Sequence, residues 1–361
     1  MVNIFLFKFL FIIFEMKSFD QYKLIKNIKA RSELIVALLE LPSGKLIATG
    51  NKGNMDVYDM KDNFKHIYSI PNTNKDNDKI KITFLSNGYF IVTTDNGTIE
   101  LLDIDLDKKE TTLLQTLDGH ESTVYDIIEL SDKKLVSVSN NGQIIFWEYE
   151  PTTNSYKIFK KLNEHPNEYS QIFEDVKRNL IVCAPCFDSC GTAIIDLKTY
   201  NILKKFDDIA GNGSNELTKI SDNIILDNSA ADEVGLFYID LDKMEIIKHD
   251  ENFNENKTTC FLKLKNGLLL SSVTVGDRDD FKLNDSYDDD NNKYDDINDD
   301  EKEEVNEKFH SDIQTIKILD NGKNLAVFNT KSCVDYAPIL SMIELSDGKI
   351  VTGSNRIKVY E

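Results

Sequence analysis

His120 and Trp147, the chain's only tryptophan, stand 27 positions apart in a stretch that also carries Ser137, Ser139, Asn141 and several acids. A histidine close to hydroxyls and carboxylates is the composition of a general-base site. That chemistry needs a nucleophile or further ligands converging on the imidazole, and the stretch supplies none at a recognisable spacing. "CAPCFDSC" brings Cys183, Cys186 and Cys190 together, with His165 as a conceivable fourth zinc ligand. Structural zinc sites repeat a paired Cys-x-x-Cys unit, and the second pair is missing, so ordinary packing is expected of these thiols. "DSYDDDNNKYDDINDDEKEE" invites a calcium reading. A calcium loop wants glycine at its sixth position and glutamate at its twelfth. Counting from Asp288 puts Lys293 and Asp299 there, and counting from Asp285 puts Asp290 and Asp296 there, so the pattern fails twice. Phosphate-cradling glycine loops, serine-nucleophile elbows and metalloprotease helices are also missing. No cofactor or metal is expected.

The elements that would position these residues are repeated. "LLELPSGKLIATGNKGNMDVYDM" from Leu38, "ITFLSNGYFIVTTDNGTIELLDI" from Ile82, "IIELSDKKLVSVSNNGQIIFWEY" from Ile127 and "MIELSDGKIVTGSNRIKVYE" from Met342 share one plan. Each is an apolar strand, a turn, a strand ending in small or hydroxyl residues, a second tight turn, and a further strand. The first turns fall at Gly44, Gly88, Lys133, Asn179, Asp222, Gly267 and Gly348, in steps of 44, 45, 46, 43, 45 and 81. Gly53, Gly97 and Gly142 mark the second turn with the same period. Four antiparallel strands per 45-residue unit make one propeller blade. The seven first strands are expected near Leu34, Lys79, Val124, Tyr169, Asn215, Lys257 and Ile339. The last copy ends after its third strand, and "YKLIKNI", residues 22–28, is expected to pair beside Arg356–Tyr360 and close the ring. Other outer strands, such as "FKHIYSI", "YKIFKKL", "NILKKF" and "MEIIKH", carry lysines that guard an exposed sheet edge.

Laid out this way, the opening stretch resembles a WD40 repeat. Gly119-His120 begins it, Val124, Ile127 and Leu130 follow, then Ser137-Val138-Ser139, Asn140-Asn141-Gly142 and Trp147-Glu148. The resemblance implies a hydrogen-bonded network inside the blade, formed here by His120, Ser137 (or Ser139), Asn141 and Trp147. Indole and imidazole N–H groups in a packed interior need such partners. Tyr58, Leu102 and Tyr360 stand at the tryptophan position of other copies, and the units between Tyr169 and the acidic run are recognised by spacing and strand pattern. The resemblance also implies a non-catalytic platform that binds proteins on its ring faces.

The formal charge is -20, with 62 acidic and 42 basic residues, which disfavours nucleic acid as a partner. Residues 276–309 hold fifteen acids against five bases, half of that net charge, and account for the long step of 81. The five cysteines lack a disulfide-framework spacing, so a reducing, cytoplasmic setting is expected. "VNIFLFKFLFIIF", residues 2–14, is too short to span a bilayer, lacks a preceding basic residue and a cleavage site, and reads as an extension outside the fold. The expected organisation is an apolar extension over 1–15 and a single all-β propeller over 16–361, with a disordered acidic insertion at 276–309. With no helical extension after the last blade, its expected role is a monomeric adaptor or scaffold within a larger protein complex, away from membranes. The rivals are a hydrolase with acids lining the central channel, and a secreted or membrane-attached propeller that uses residues 2–14.

Overall fold

The structure is a computed structural model that describes residues 18–361 except 33, 51–52, 72–78, 164–167, 186–189, 211–216, 228–235, 251–256, 276–309 and 336. The apolar extension, the acidic insertion, His165 and Cys186 lie outside the described residues. Seven antiparallel sheets of four strands follow one another along the chain. Blades one to six span 35–70, 79–118, 124–163, 169–210, 217–250 and 257–335. The seventh is built from both ends: Ser341–Glu344, Ile350–Gly353 and Arg356–Tyr360, with the strand Leu24–Lys29 outermost. Leu24 pairs with Tyr360 and Ile28 with Ile357, so the closing strand runs where the sequence pattern put it, shifted by one or two residues. First strands begin at Ile35, Lys79, Val124, Tyr169, Leu217, Lys257 and Ser341.

Turn chemistry explains the repeat. Six of the seven first-turn markers adopt positive φ: Gly44, Gly88, Lys133, Asn179, Gly267 and Gly348, between 57° and 92°. Glycine takes this conformation without strain and asparagine tolerates it, which is why the ruler was visible in residue types. Burial explains the second and third strands. Leu135–Ser139 is buried at every position, because each sheet is covered on both faces by its neighbours. Among the described residues seven apolar clusters form, each shared by two successive blades. One of them joins Ile35 and Leu46 of blade one to Leu345 and Val359 of blade seven, which closes the circle by packing as well as by pairing.

The outer strands depart from simple alternation in the same way seven times. Pairing with the third strand skips Ile25, Ile67, Leu114, Phe159, Leu203, Ile247 and Phe328. A β-bulge inserts one residue and so sets two apolar residues in succession on a strand of period two. This accounts for Leu24-Ile25, Leu113-Leu114, Ile158-Phe159, Ile202-Leu203 and Ile246-Ile247. The residue facing the bulge is the tryptophan position of each blade: Tyr58, Leu102, Trp147, Ile195, Ile239, Ile316 and Tyr360. All seven are buried at 3% exposure or less.

The closing segment is anchored beyond its strand. A short 3₁₀ turn, Phe19–Gln21, lies over blade six, where the Phe19 amide donates to Thr315 Oγ1 at 3.0 Å. The Phe19 ring sits 5.0 Å from that of Tyr360, and Lys331 donates to the Tyr22 carbonyl at 2.9 Å. Among the described residues no helix is long and apolar enough to cross a membrane.

Candidate functional site

The sharpest chemical candidate is an internal brace of blade three. Ser137 lies on the second strand and Trp147 on the third, two positions out of direct register, and both are buried. Trp147 Nε1 donates to Ser137 Oγ at 2.9 Å. The hydroxyl has a single proton to give. His120 Nε2 lies 2.7 Å away and the Ile145 carbonyl 3.5 Å, so the hydroxyl donates to the imidazole. The ring proton then resides on Nδ1; that atom and Gln143 Oε1 are both buried, and neither has a hydrogen-bond partner. Burial pushes the His120 pKa down to about 3, the Lys161 charge adds to this, and the Gln143 side chain opposes it. An imidazole neutral throughout the physiological range and 8% exposed is a packed acceptor inside the blade.

Gly119 is a requirement of the same brace. A Cβ there would sit 2.9 Å from Trp147 Cη2 and 3.0 Å from Ile158 Cδ1. Asn141 does not join the trio. Its Oδ1 accepts from Ser139 Oγ and, at 3.4 Å, from the Gln143 amide, closing its own turn. The turn Asn140-Asn141-Gly142 lies at the far end of the strands from the Trp147–Leu135 pair, and an amide there reaches its own loop before it reaches the imidazole. Gln143 takes the place expected of Asn141 beside His120.

A second set of polar contacts, between blades, was not anticipated from residue types. Glu129 accepts from the amide and hydroxyl of Ser86 at 2.8 and 2.6 Å. Glu174 likewise holds Ser131, and Glu40 holds Ser346 across the seam between blades seven and one. Glu344 takes the Lys265 amide at 2.7 Å. The signal was present in "IIELSDKK" and "MIELSDGK", where a glutamate ends the first strand and a serine two positions on meets the next glutamate; "LLELPSG" has the glutamate, with Pro42 at the serine position. Between blades four, five and six, cations do this work. Arg178 donates to Asp175 and Asp242, each at 2.7 Å, and Lys263 donates to the Ile220 carbonyl at 3.0 Å. A cavity of about 420 Å³ opens beside Arg178, with Lys198, Asp196 and Asp242 balancing its charge.

Acids on the first strands, where a channel chemistry would have to reside, are committed to neighbours. Asp126 takes the Lys81 ammonium on one side and the Ile172 amide, at 2.9 Å, on the other. Gln171 repeats that reach one blade on, accepting from the Leu217 amide. Every displaced carboxyl pKa among the described residues, at Asp59, Asp105, Asp196, Asp222 and Asp347, is displaced downward. A channel acid would need the opposite shift. Cys183 lies inside the second strand of blade four, at Leu180–Pro185, and is fully buried. Burial and the nearby Asp126 raise its thiol pKa, which makes it unreactive.

No protein-family model matches the sequence, and no curated protein matches it. Solved structures do. One is a chain from the crystal structure of the mitotic checkpoint complex, with TM-score 0.68 and 11% identity over 93% of this chain and 93% of that one. Another is the WD40 β-propeller domain of Doa1, with TM-score 0.63 and 14% identity over 94% of this chain and 96% of that one. At such identities the likeness establishes the fold.

Proposed function

We propose that this chain, a seven-bladed propeller with the WD40 fold, is a non-catalytic scaffold or adaptor that binds other proteins in the cytoplasm. One observation carries the reading: the ring is closed from both ends and clamped between blades, so its turns form a fixed array. Glu40 on Ser346 and Leu24–Lys29 on Arg356–Tyr360 tie the first blade to the last, which leaves little freedom for the loops to drift apart. A rigid frame presenting irregular loops lowers the ordering cost of binding a partner. The conspicuous histidine and the first-strand acids are used inside the frame, which leaves the ring faces as the surface free for recognition. The similar chain in the mitotic checkpoint complex sits in an assembly of proteins, and we extend that mode of use to this chain.

Site-specific photo-crosslinkers at Asn96, Asn141 and Asn355, on the turns between second and third strands, test the reading in the native cell. A reproducible protein captured from these positions, and not from the opposite face at Asn87 or Asp347, is the expected result. The purified chain turning over an ester or phosphoester substrate, with that activity lost in Asp126→Asn, would replace the scaffold with the channel hydrolase.

A further inference from the structure

The first-turn face repeats one polar contact, so each seam between blades is a control for the others. At four seams a glutamate near the end of a blade's first strand accepts an amide from the preceding blade's turn. Glu129, Glu174, Glu344 and Glu40 take the amides of Ser86, Ser131, Lys265 and Ser346 at 2.7–3.1 Å. At the other three seams the glutamate's place holds Phe84, Lys219 and Lys263. Two of these exceptions account for themselves. Opposite Phe84 the amide position is Pro42, which has no N–H to give. Opposite Lys263 the Ser221 amide donates to the Ile224 carbonyl of its own turn at 3.3 Å, and Lys263 itself donates to the Ile220 carbonyl. The seam between blades four and five has neither remedy. Among the described residues the Val176 amide has no hydrogen-bond acceptor, and Val176 is 63% exposed.

Cations crowd this place, and the acids near it are engaged. Lys177 follows the amide in the turn, and Lys219 stands where the glutamate would. Glu174 is held by Ser131 at the other seam of blade four. Asp175 accepts from Arg178 at 2.7 Å and from the Lys177 amide at 3.1 Å, Asp242 accepts from Arg178, and Asp196 closes its own turn on the Lys198 amide. Asp222, 86% exposed, meets Lys177 at 3.2 Å. The Lys177 ammonium, helped by Lys219 and Arg178, holds the Asp222 carboxyl below its ordinary range, so a carboxylate at this seam sits in a positive field. Lys219 reaches Asp175 only at 3.7 Å, and burial together with repulsion from Lys219 lowers the Lys263 pKa. The same turn supplies Arg178 and Asn179 to the cavity of about 420 Å³, whose apolar wall is Leu180, Leu203, Leu241 and Met244.

We propose that the first-turn seam between blades four and five is a carboxylate-recognition site for an acidic segment of a partner protein. The partner's carboxylate takes the place that a glutamate of this chain holds at four other seams, accepts the Val176 amide and pairs with Lys219 and Lys177. A carboxylate on a backbone N–H is among the stronger hydrogen bonds, and the four built-in copies show that this turn offers its amide in the required direction. Val176 is the most exposed large apolar side chain among the described residues, and with the cavity beside Arg178 it receives apolar residues flanking the acid. The proposal rests on the reading of a protein-binding platform but names a second site. Its seam shares a face with Asn87 and Asp347 and lies two blades from each, so capture at the second turns and binding here can fail separately.

The test uses the full chain and two end-blocked fluorescent peptides, Ser-Leu-Glu-Leu-Ser and its glutamine counterpart, read by anisotropy at low salt. The glutamate probe should bind saturably, at least about tenfold tighter than the glutamine probe, and weaken with salt. Lys219→Glu writes the clasp of the other seams into blade five, and Val176→Pro removes the amide as Pro42 does in blade one. Each should weaken the glutamate probe by at least about tenfold, with the melting temperature unchanged or raised. If Val176→Pro melts lower, Lys219→Glu, which leaves the backbone intact, decides. Lys133→Met, at an exposed lysine beside a seam that Glu174 already clasps, should leave binding unchanged. The proposal is overturned if the glutamate probe fails to bind, gains nothing over glutamine, binds Lys219→Glu as well as the parent, or weakens equally in Lys133→Met. Inorganic phosphate that displaces the probe at equal concentration would assign the place to a phosphoryl group and overturn it. So would a dimer abolished by Lys219→Glu, or carbodiimide coupling of Lys219 to residues 276–309 within one chain, which name a second copy or the chain's own acidic run as the occupant.

Discussion

Removing the Ser137 hydroxyl separates a structural brace from a chemical site. In Ser137→Ala the Trp147 N–H and the His120 Nε2 lose their shared partner at 2.9 and 2.7 Å while remaining buried. Each buried polar group left unsatisfied costs about 1–3 kcal/mol, so a total near 3 kcal/mol is expected. With an unfolding entropy of about 2.1 cal/mol/K per residue, that lowers the melting temperature of a chain this long by roughly 4 °C. Adding Trp147→Phe removes the orphaned donor, so the double variant should recover about 1 kcal/mol relative to the summed single losses. The assay is calorimetry with matched denaturant titrations. The brace also carries a pH signature. The folded His120 pKa of about 3 lies below the ordinary 6.5, so the unfolded chain binds the extra proton between these values. Stability contributed by the neutral ring is therefore complete above about pH 6.5 and is lost as pH falls toward 3, at about 1.4 kcal/mol per unit. The difference in stability between the parent and His120→Gln should shrink along that path. A Ser137→Ala loss under about 0.5 kcal/mol, or a pH-independent difference for His120→Gln, would refute the brace.

Gly119→Ala should destabilise by about 1–3 kcal/mol, because its Cβ meets Trp147 at 2.9 Å; denaturant melts of Gly119→Ala and of Gly119→Ala with Trp147→Leu, which frees the space, would show rescue. Phe19→Ala, at a ring 1% exposed between blades six and seven, should cost about 3–5 kcal/mol, and deleting residues 16–29 should cost more by reopening the ring; an unchanged melting temperature in either would refute the closure. Glu40→Ala should cost about 1–2 kcal/mol through the loss of both Ser346 bonds, with strand content by circular dichroism unaltered. Lys79, 1% exposed, donates to the Pro71 carbonyl at 2.9 Å and lies 4.0 Å from Glu100. Lys79→Met alone should cost about 3–5 kcal/mol by removing the cation beside the buried Glu100 carboxylate, and Lys79→Met with Glu100→Leu should restore most of it in the same melts.

The blade count, the period and the place of Trp147 follow from residues close together in the chain. Turn markers at Gly44, Gly88 and Lys133 need positive φ, and strand alternation is written in neighbours two apart, so both leave local traces. What joined one blade to the next did not. Glu129 meets Ser86 and Glu174 meets Ser131, each 43 positions apart, through a stagger between sheets that no single repeat displays. The doubled apolar residues of the outer strands break the period of two, and only the pairing shows a bulge at the same place in every blade. Asn141 turned to Ser139 because its own turn lies nearer than the imidazole, and Gln143 filled the place beside His120. Cys183 sat beside two other cysteines in sequence, yet the strand carries it into the core. Short-range rules thus determined which elements form and how many, whereas the packing of sheet on sheet decided which polar groups meet.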